Sequence, residues 1–257
     1  MYDNENTVKS SFDLNYVSEY LLQAQWAEFI ELKKTIHEIA DRKKEPVTIL
    51  DIGIGNARIA KHLSGIKDIW DKVAHYDGTD NAMACVDISN DEISRLNITD
   101  KVSVYFFEAT DLDKWEKKYD MAITTWFTAG NFHPDNFPFE TYKDSDKRTD
   151  LSKNEKFTKI FRNAYNLLLP AGEVVIGACY KDNDATRLKQ EESYHKMGGS
   201  TIITNEKDSF TATKEGFWSQ RFTKEKIFSY LDFIPKEKFL FTSLDTYEYA
   251  MQVRIRK

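Results

Sequence analysis

The chain has 257 residues, enough for one large α/β domain, or a domain with an appended lid, around a sizeable core. A formal net charge of −6 argues against a generic nucleic-acid binder, and the basic clusters Arg42-Lys43-Lys44 and Arg254 to Lys257 are short. Cys85 and Cys179 are lone thiols without a Cys-x-x-Cys or clustered histidines, which excludes a disulfide framework or zinc ribbon, predicts no metal site and suits a reducing compartment.

The acidic start, Met1 to Asn6, has no apolar leader-like run, and no stretch of about eighteen apolar residues occurs, so a cytoplasmic protein off the membrane is expected. Val17, Leu21, Phe29, Leu32, Ile36 and Ile39 recur at roughly helical spacing, predicting one or two helices within 14–40. Residues 1–45 read as an N-terminal helical lid, and 46–257 as the main domain. Pro46 breaks the helical pattern ahead of a strand, Val47-Thr-Ile-Leu-Asp51. That strand runs into Gly53-x-Gly55 and an amphipathic helix with Ile59, Ala60 and Leu63 inward and Lys61 and His62 outward. Such a turn brings bare backbone amides and a helix start to one point, where a polar or anionic ligand is accepted. It is neither the dinucleotide fingerprint, which needs a glycine at Arg58, nor a P-loop, which needs a following Gly-Lys-Ser/Thr.

Further strands are predicted at 72–80, 101–107 and 119–125, followed by a polar, proline-containing irregular stretch from 131 to 152. A helix at 153–168 carries Phe157, Ile160, Phe161, Ala164, Leu167 and Leu168 on one face. The turn 168–172 leads into a strand at 173–180. A helix at 185–196 follows, then one opened by Thr223 and two strands near 238–243 and 247–255. This β–α alternation predicts an α/β fold: a doubly wound, mostly parallel seven-stranded sheet with a terminal antiparallel hairpin.

Asp51 directly before Gly53-x-Gly55 resembles motif I of the class I S-adenosylmethionine-dependent methyltransferases, and further matches follow in order. The resemblance implies S-adenosyl-L-methionine as cofactor, bound beyond the carboxyl ends of the strands at the switch point. It places Asp51 and the backbone of Gly53 and Gly55 against the methionine part. Tyr76-Asp-Gly-Thr-Asp-Asn-Ala82 is similar to the family's Tyr-x-Gly-x-Asp-x-Ser, which makes Asp80 the candidate for the two ribose hydroxyls. Cys85-Val-Asp-Ile-Ser89 resembles the same motif, leaving Asp87 as the other candidate, with Ser89 and Glu92 as a capping box for the next helix. Asp80 is preferred for its spacing from Asp51. Glu108-Ala-Thr-Asp-Leu112 resembles the family's Asp-Ala-x-Asp-Leu, so Glu108 is expected to accept from the adenine amino group and the Ala109 amide to donate to the ring. Thr125, at the end of strand four, completes the expected cofactor set. Residues 168–172 are similar to the family's Leu-Lys-Pro-Gly-Gly.

Methyl transfer from a sulfonium asks the protein for proximity, orientation and a deprotonated acceptor. The acceptor is expected at the segment after strand four, with Trp126 and Asn131 as substrate-binding residues. The Asn/Asp-Pro-Pro-Tyr/Phe of nucleic-acid amino-methyltransferases is absent there, and Asn136-Phe-Pro-Phe139 comes about ten residues too late. Thr128-Ala-Gly-Asn-Phe-x-Pro134 is instead similar to an element of the histidine-specific methyltransferases of the ergothioneine pathway, as are Ile176-Gly177 with Lys181-Asp182, and Ser219-Gln-Arg-Phe-Thr223. That implies acceptor contacts from Asn131 and Ser219. Phe217 stands where that family has a substrate-binding glutamate, so a small amine or amino-acid-like acceptor is expected rather than histidine itself. Trp126, Phe127 and Phe132 read equally as pocket lining or core. His133 reads as a loop histidine, with general base as the other reading, and no catalytic residue is assigned. The alternatives are an RNA methyltransferase, or a non-catalytic cofactor-binding partner of the same fold. A monomer or homodimer is expected.

Overall fold

Val47–Ile52 (β1) and Tyr119–Thr124 (β4) are almost wholly buried, as continuous apolar runs are when both faces of a parallel sheet are covered. In this computed structural model, residues 19–144, 149–196, 201–244 and 248–257 are described. Among the described residues a single helix, Glu19–Lys43 (α1), precedes β1. Arg58–Ser64 (α2), Lys67–Trp70 (α3), Val73–Asp80 (β2), Met83–Arg95 (α4) and Val102–Phe106 (β3) lead to β4. Glu155–Asn166 (α5), Leu168–Lys181 (β5) and Asp184–Lys196 (α6) follow. Phe210–Ala212 (β6), Trp218–Phe222 (β7), Lys224–Tyr230 (α7), Phe239–Ser243 (β8) and Ala250–Arg256 (β9) complete the chain.

Strands run β3-β2-β1-β4-β5 in parallel, and β9 then pairs antiparallel with β5 and β8 with β9. Those seven strands are the predicted sheet and its terminal hairpin. Two more were not predicted. β6 and β7 form an antiparallel hairpin, and β7 joins the carboxyl end of β5 in parallel, Tyr180 opposite Arg221 and Lys181 opposite Phe222. The pattern hid this hairpin because its buried residues include Ser219, Gln220 and Arg221, satisfied by hydrogen bonds rather than by apolar contact. The Arg221 guanidinium donates to Gln190, Thr211 and the Asp208 carbonyl. β5 also starts earlier than predicted, at Leu168, because the expected turn is absorbed as an irregularity with Ala171 at φ 62.

The strand period of two sorts the core into two faces. Ile49, Met121 and Val175 pack with Phe29, Leu32 and Ile36 of α1, and with Ile59, Leu63 and Ile93. Leu50, Ala122, Val174 and Ile176 pack on the opposite side with Phe157, Ile160, Phe161, Ile227 and Tyr230. The described part of the expected lid segment is thus one layer of the packed core. Among the described residues no helix is long and apolar enough to cross a membrane.

Asn154 joins three of these parts. Its Oδ1 caps α5 by accepting from the Phe157 amide at 3.0 Å, while Nδ2 donates to the Phe132 carbonyl at 2.7 Å and to Gln220 of the inserted hairpin at 3.0 Å. Losing a cap together with buried donors should cost Asn154→Ala roughly 2 kcal/mol of unfolding free energy in urea titration. Asn154→Asp, which keeps the cap, should recover part of that loss.

Candidate active site

The turn after β1 alternates left-handed residues, with Gly53 at φ 80, Gly55 at φ 62 and Ala57 at φ 56. A Cβ at Gly53 would lie 2.8 Å from Thr128 Cγ2, so the loop after β4 as well as the dihedral excludes a side chain. Substitution at Gly53 would therefore report on packing before it reported on ligand. Asp80, ending β2, holds the turn: Oδ2 accepts from the Gly55 amide at 3.0 Å and Oδ1 from the Ala82 amide at 3.0 Å. Burial raises its pKa above the usual carboxylate value, against the pull of these amides. Ser89 is not a cap, because α4 begins at Met83 and the hydroxyl lies mid-helix, donating to the Gly55 carbonyl at 2.8 Å.

A cavity of about 760 Å³ opens beyond the carboxyl ends of β1 to β4. Gly53, Gly55, Asp80, Glu108 and Ala109 line one side, and Thr125, Trp126 and Asn131 line the other. These eight residues, expected to contact cofactor or acceptor, meet there. Asp51 and Asp87 do not line it. Asp87 is exposed on α4. Asp51 is buried behind the glycine turn, where Oδ2 accepts from the Tyr76 hydroxyl and Oδ1 has no hydrogen-bond partner. Glu108 Oε2 accepts from Asn81 at 2.9 Å, and its other oxygen from the Thr110 amide at 3.4 Å.

The aromatics expected on the acceptor side divide. Trp126 and Phe132 line the cavity, while Phe127 is core, its ring stacked on Tyr180 at 3.8 Å. Trp126 and Phe127 both adopt positive φ, 52 and 62. His133 lines the cavity, with Nδ1 at 2.8 Å from the Pro134 carbonyl. Ser219 is buried away from the cavity against the Tyr194 hydroxyl, and Lys181 pairs with Glu248. Phe137 and Phe139 pack in a separate cluster with Trp218 and Phe210, so that segment is a packed loop.

Sequence reasoning missed Gln25, Arg58, Gly216 and Trp218 as lining residues, and Glu28 beneath them. Glu28 is fully buried and accepts from the Trp126 amide at 3.0 Å, the Ala178 amide at 2.6 Å and Arg58 at 2.8 Å. A signal was present: Glu28 falls on the stripe formed by Leu21, Ala24 and Leu32, where a carboxylate needs a reason.

No protein-family model and no curated relative matches the chain. Its structure is similar to that of 1,6-didemethyltoxoflavin-N1-methyltransferase of Burkholderia thailandensis, solved with 1,6-didemethyltoxoflavin and S-adenosylhomocysteine. The TM-score is 0.57 at 12% identity, over 98% of this chain and 84% of that one. Magnesium protoporphyrin IX methyltransferase of Synechocystis PCC 6803, solved with S-adenosylhomocysteine, gives 0.55 at 10% identity, over 94% and 88%. A S-adenosylmethionine-dependent methyltransferase of Clostridium acetobutylicum gives 0.51 at 11% identity, over 90% of each. The fold is that of the class I S-adenosylmethionine-dependent methyltransferases. At these identities the likeness is one of fold, and chemistry rests on the residues of this chain.

Burial raises the Asp51 pKa to about 7, while the Tyr76 hydroxyl and Arg58 pull the other way. The folded chain therefore holds a proton there that the unfolded chain releases above about pH 4. Stability drawn from this group falls between about pH 4 and 7 and levels off above. Asp51→Asn, neutral throughout, should gain stability relative to the parent by a few kcal/mol across that interval in urea titrations. A difference that does not vary with pH would contradict the buried neutral carboxyl.

Proposed function

We propose that this chain is a S-adenosylmethionine-dependent methyltransferase acting on a small-molecule acceptor, an amine or amino-acid-like compound. The observation that carries the reading is the convergence of Gly53, Gly55, Asp80, Glu108 and Ala109 on one cavity at the strand ends of this fold. The residues fit the donor. The left-handed glycine turn leaves backbone bare where a ligand approaches, and Asp80 offers both ribose hydroxyls a charged acceptor already fixed by two amides. Glu108 suits the adenine amino group and the Ala109 amide the ring. When bound, S-adenosylmethionine supplies a methyl group on a sulfonium.

The chain's own contribution is then to hold an acceptor in line with that methyl group and to keep water away. Trp126, Phe132 and Trp218 give the far wall bulk, and Asn131, with no side-chain hydrogen bond among the described residues, gives it a neutral donor and acceptor. Gln25 of α1 lines the cavity, which supports a covering role for the N-terminal segment beside its place in the core. The net charge of −6 supports a small acceptor rather than RNA. Two buried, unpaired thiols support a cytoplasmic setting.

Titration calorimetry with S-adenosylhomocysteine, then a radiolabelled-methyl screen over amines, amino acids, carboxylic acids and RNA, tests the reading. Asp80→Ala should weaken S-adenosylhomocysteine by roughly 1.5–3 kcal/mol, about ten- to hundredfold, and Asp87→Ala should leave it unchanged. A larger loss for Asp87→Ala reverses the assignment. Asn131→Ala should lower turnover while cofactor affinity holds. Strong, length-dependent methylation of RNA would overturn the small-molecule acceptor.

A further inference from the structure

The charges along the cavity wall are segregated. Among the described lining residues every carboxylate lies between Asp80 and Glu108, and Glu92 there is already paired with Lys61 and Arg95. From Thr125 onward the lining contains no acid, and the groups in it able to carry charge are His133 and Lys156. Arg58 stands 5.5 Å from the Trp126 ring, but Glu28 matches its charge. An ammonium would enter that part of the cavity without a counter-charge, whereas an anion would find one.

Lys156 is held where it can be that counter-charge. It lies in the first turn of α5, two residues after Asn154, whose side chain donates to the Phe132 carbonyl at 2.7 Å and to Gln220 at 3.0 Å. The start of α5 is thereby tied to the two segments that bring Phe132 and Trp218 to the cavity. A lysine at this end of a helix works against the macrodipole, so helix stability gives no reason for a cation here. Its acidic neighbour is Asp135, at 3.7 Å and 81% exposed. So long and solvated a pair contributes little and leaves the ammonium open to a better partner.

The same wall carries Trp126, Phe132 and Trp218. Trp218 stacks on Phe210 at 4.0 Å and Phe132 packs on Phe161 at 6.1 Å between centroids, so both rings are braced. Braced aromatic faces favour a flat ring as their occupant. His133 adds no negative charge. Its Nδ1 donates to the Pro134 carbonyl, which can only accept, so the neutral ring keeps its lone pair on Nε2.

We propose that the acceptor is an aromatic compound bearing a carboxylate, with the carboxylate on Lys156 and the ring against Trp126, Phe132 and Trp218. This rests on the reading of the cavity as a methyltransferase site, and it selects the amino-acid-like acceptor over the plain amine.

The test is calorimetry on the full chain, first with S-adenosylhomocysteine and then, with that ligand saturating, with three probes. 2-Naphthoate is flat and anionic, 2-naphthylmethylamine is flat and cationic, and decahydro-2-naphthoate is anionic but not flat. 2-Naphthoate should bind at least about tenfold more tightly than the amine, and at least about threefold more tightly than the saturated acid. Lys156→Met should weaken 2-naphthoate about tenfold, while the amine and S-adenosylhomocysteine stay within about twofold. Equal or tighter binding of the amine overturns the proposal whether or not the variant folds, and so does equal binding of the two acids. Full 2-naphthoate affinity in folded Lys156→Met overturns the role of that residue. Binding of S-adenosylhomocysteine without 2-naphthoate overturns this proposal alone. A chain that binds no S-adenosylhomocysteine overturns the methyltransferase reading, and this proposal with it.

Discussion

Glu28 of α1 has no access to water, and three segments far apart in the chain meet on its carboxylate: Arg58 after β1, Trp126 after β4 and Ala178 within β5. A carboxylate buried in that position is tolerable only while its hydrogen bonds are made, so loss of any one partner loosens the other two. The constraint reaches further. A Cβ at Gly177 would lie 2.2 Å from Glu28 Oε1, so the strand beside it must carry glycine. The consecutive left-handed residues Trp126 and Phe127 are conformations that bulky side chains resist, at about 1–2 kcal/mol each. They persist because the Trp126 amide bonds Glu28 and the Phe127 amide bonds the Ala178 carbonyl. The cavity walls that carry Arg58 and Trp126 are thus both set by a helix that precedes them.

The half of the cavity lined from Gly53 to Ala109 was legible because its signals are local. Gly53, Gly55, Asp80, Glu108 and Ala109 each lie at a strand end followed by a turn, and strand ends are readable from apolar period and punctuation. Asp51 was legible as a motif residue, but its burial was not. The same Asp-Gly spacing serves whether the carboxylate faces ligand or, as here, the Tyr76 hydroxyl beneath the turn. Asp87, the other candidate, shows how a local match can fall off the cavity. Its surroundings mimic a strand end, but β2 stops at Asp80 and α4 has begun by Met83.

The other half depends on contacts between distant segments. Trp218 reaches the cavity only because β7 pairs with the last two residues of β5, and β7 is held by the buried Arg221, a residue no apolar pattern would place inside. Ser219 sits one residue beyond Trp218, and strand alternation turns it away from the cavity to Tyr194, so a local motif match misled there. The inserted hairpin leaves the seven-stranded frame intact while adding Gly216 and Trp218 to the cavity lining.

A crystal structure of the full chain with S-adenosylhomocysteine tests the central claim most directly. The account predicts the ribose on Asp80, the adenine between Glu108 and Ala109, and the amino-acid head at the Gly53–Arg58 turn. The sulfur would then face Trp126 and Asn131. Density for the ligand outside this cavity, or within it but with the ribose away from Asp80, would contradict the account.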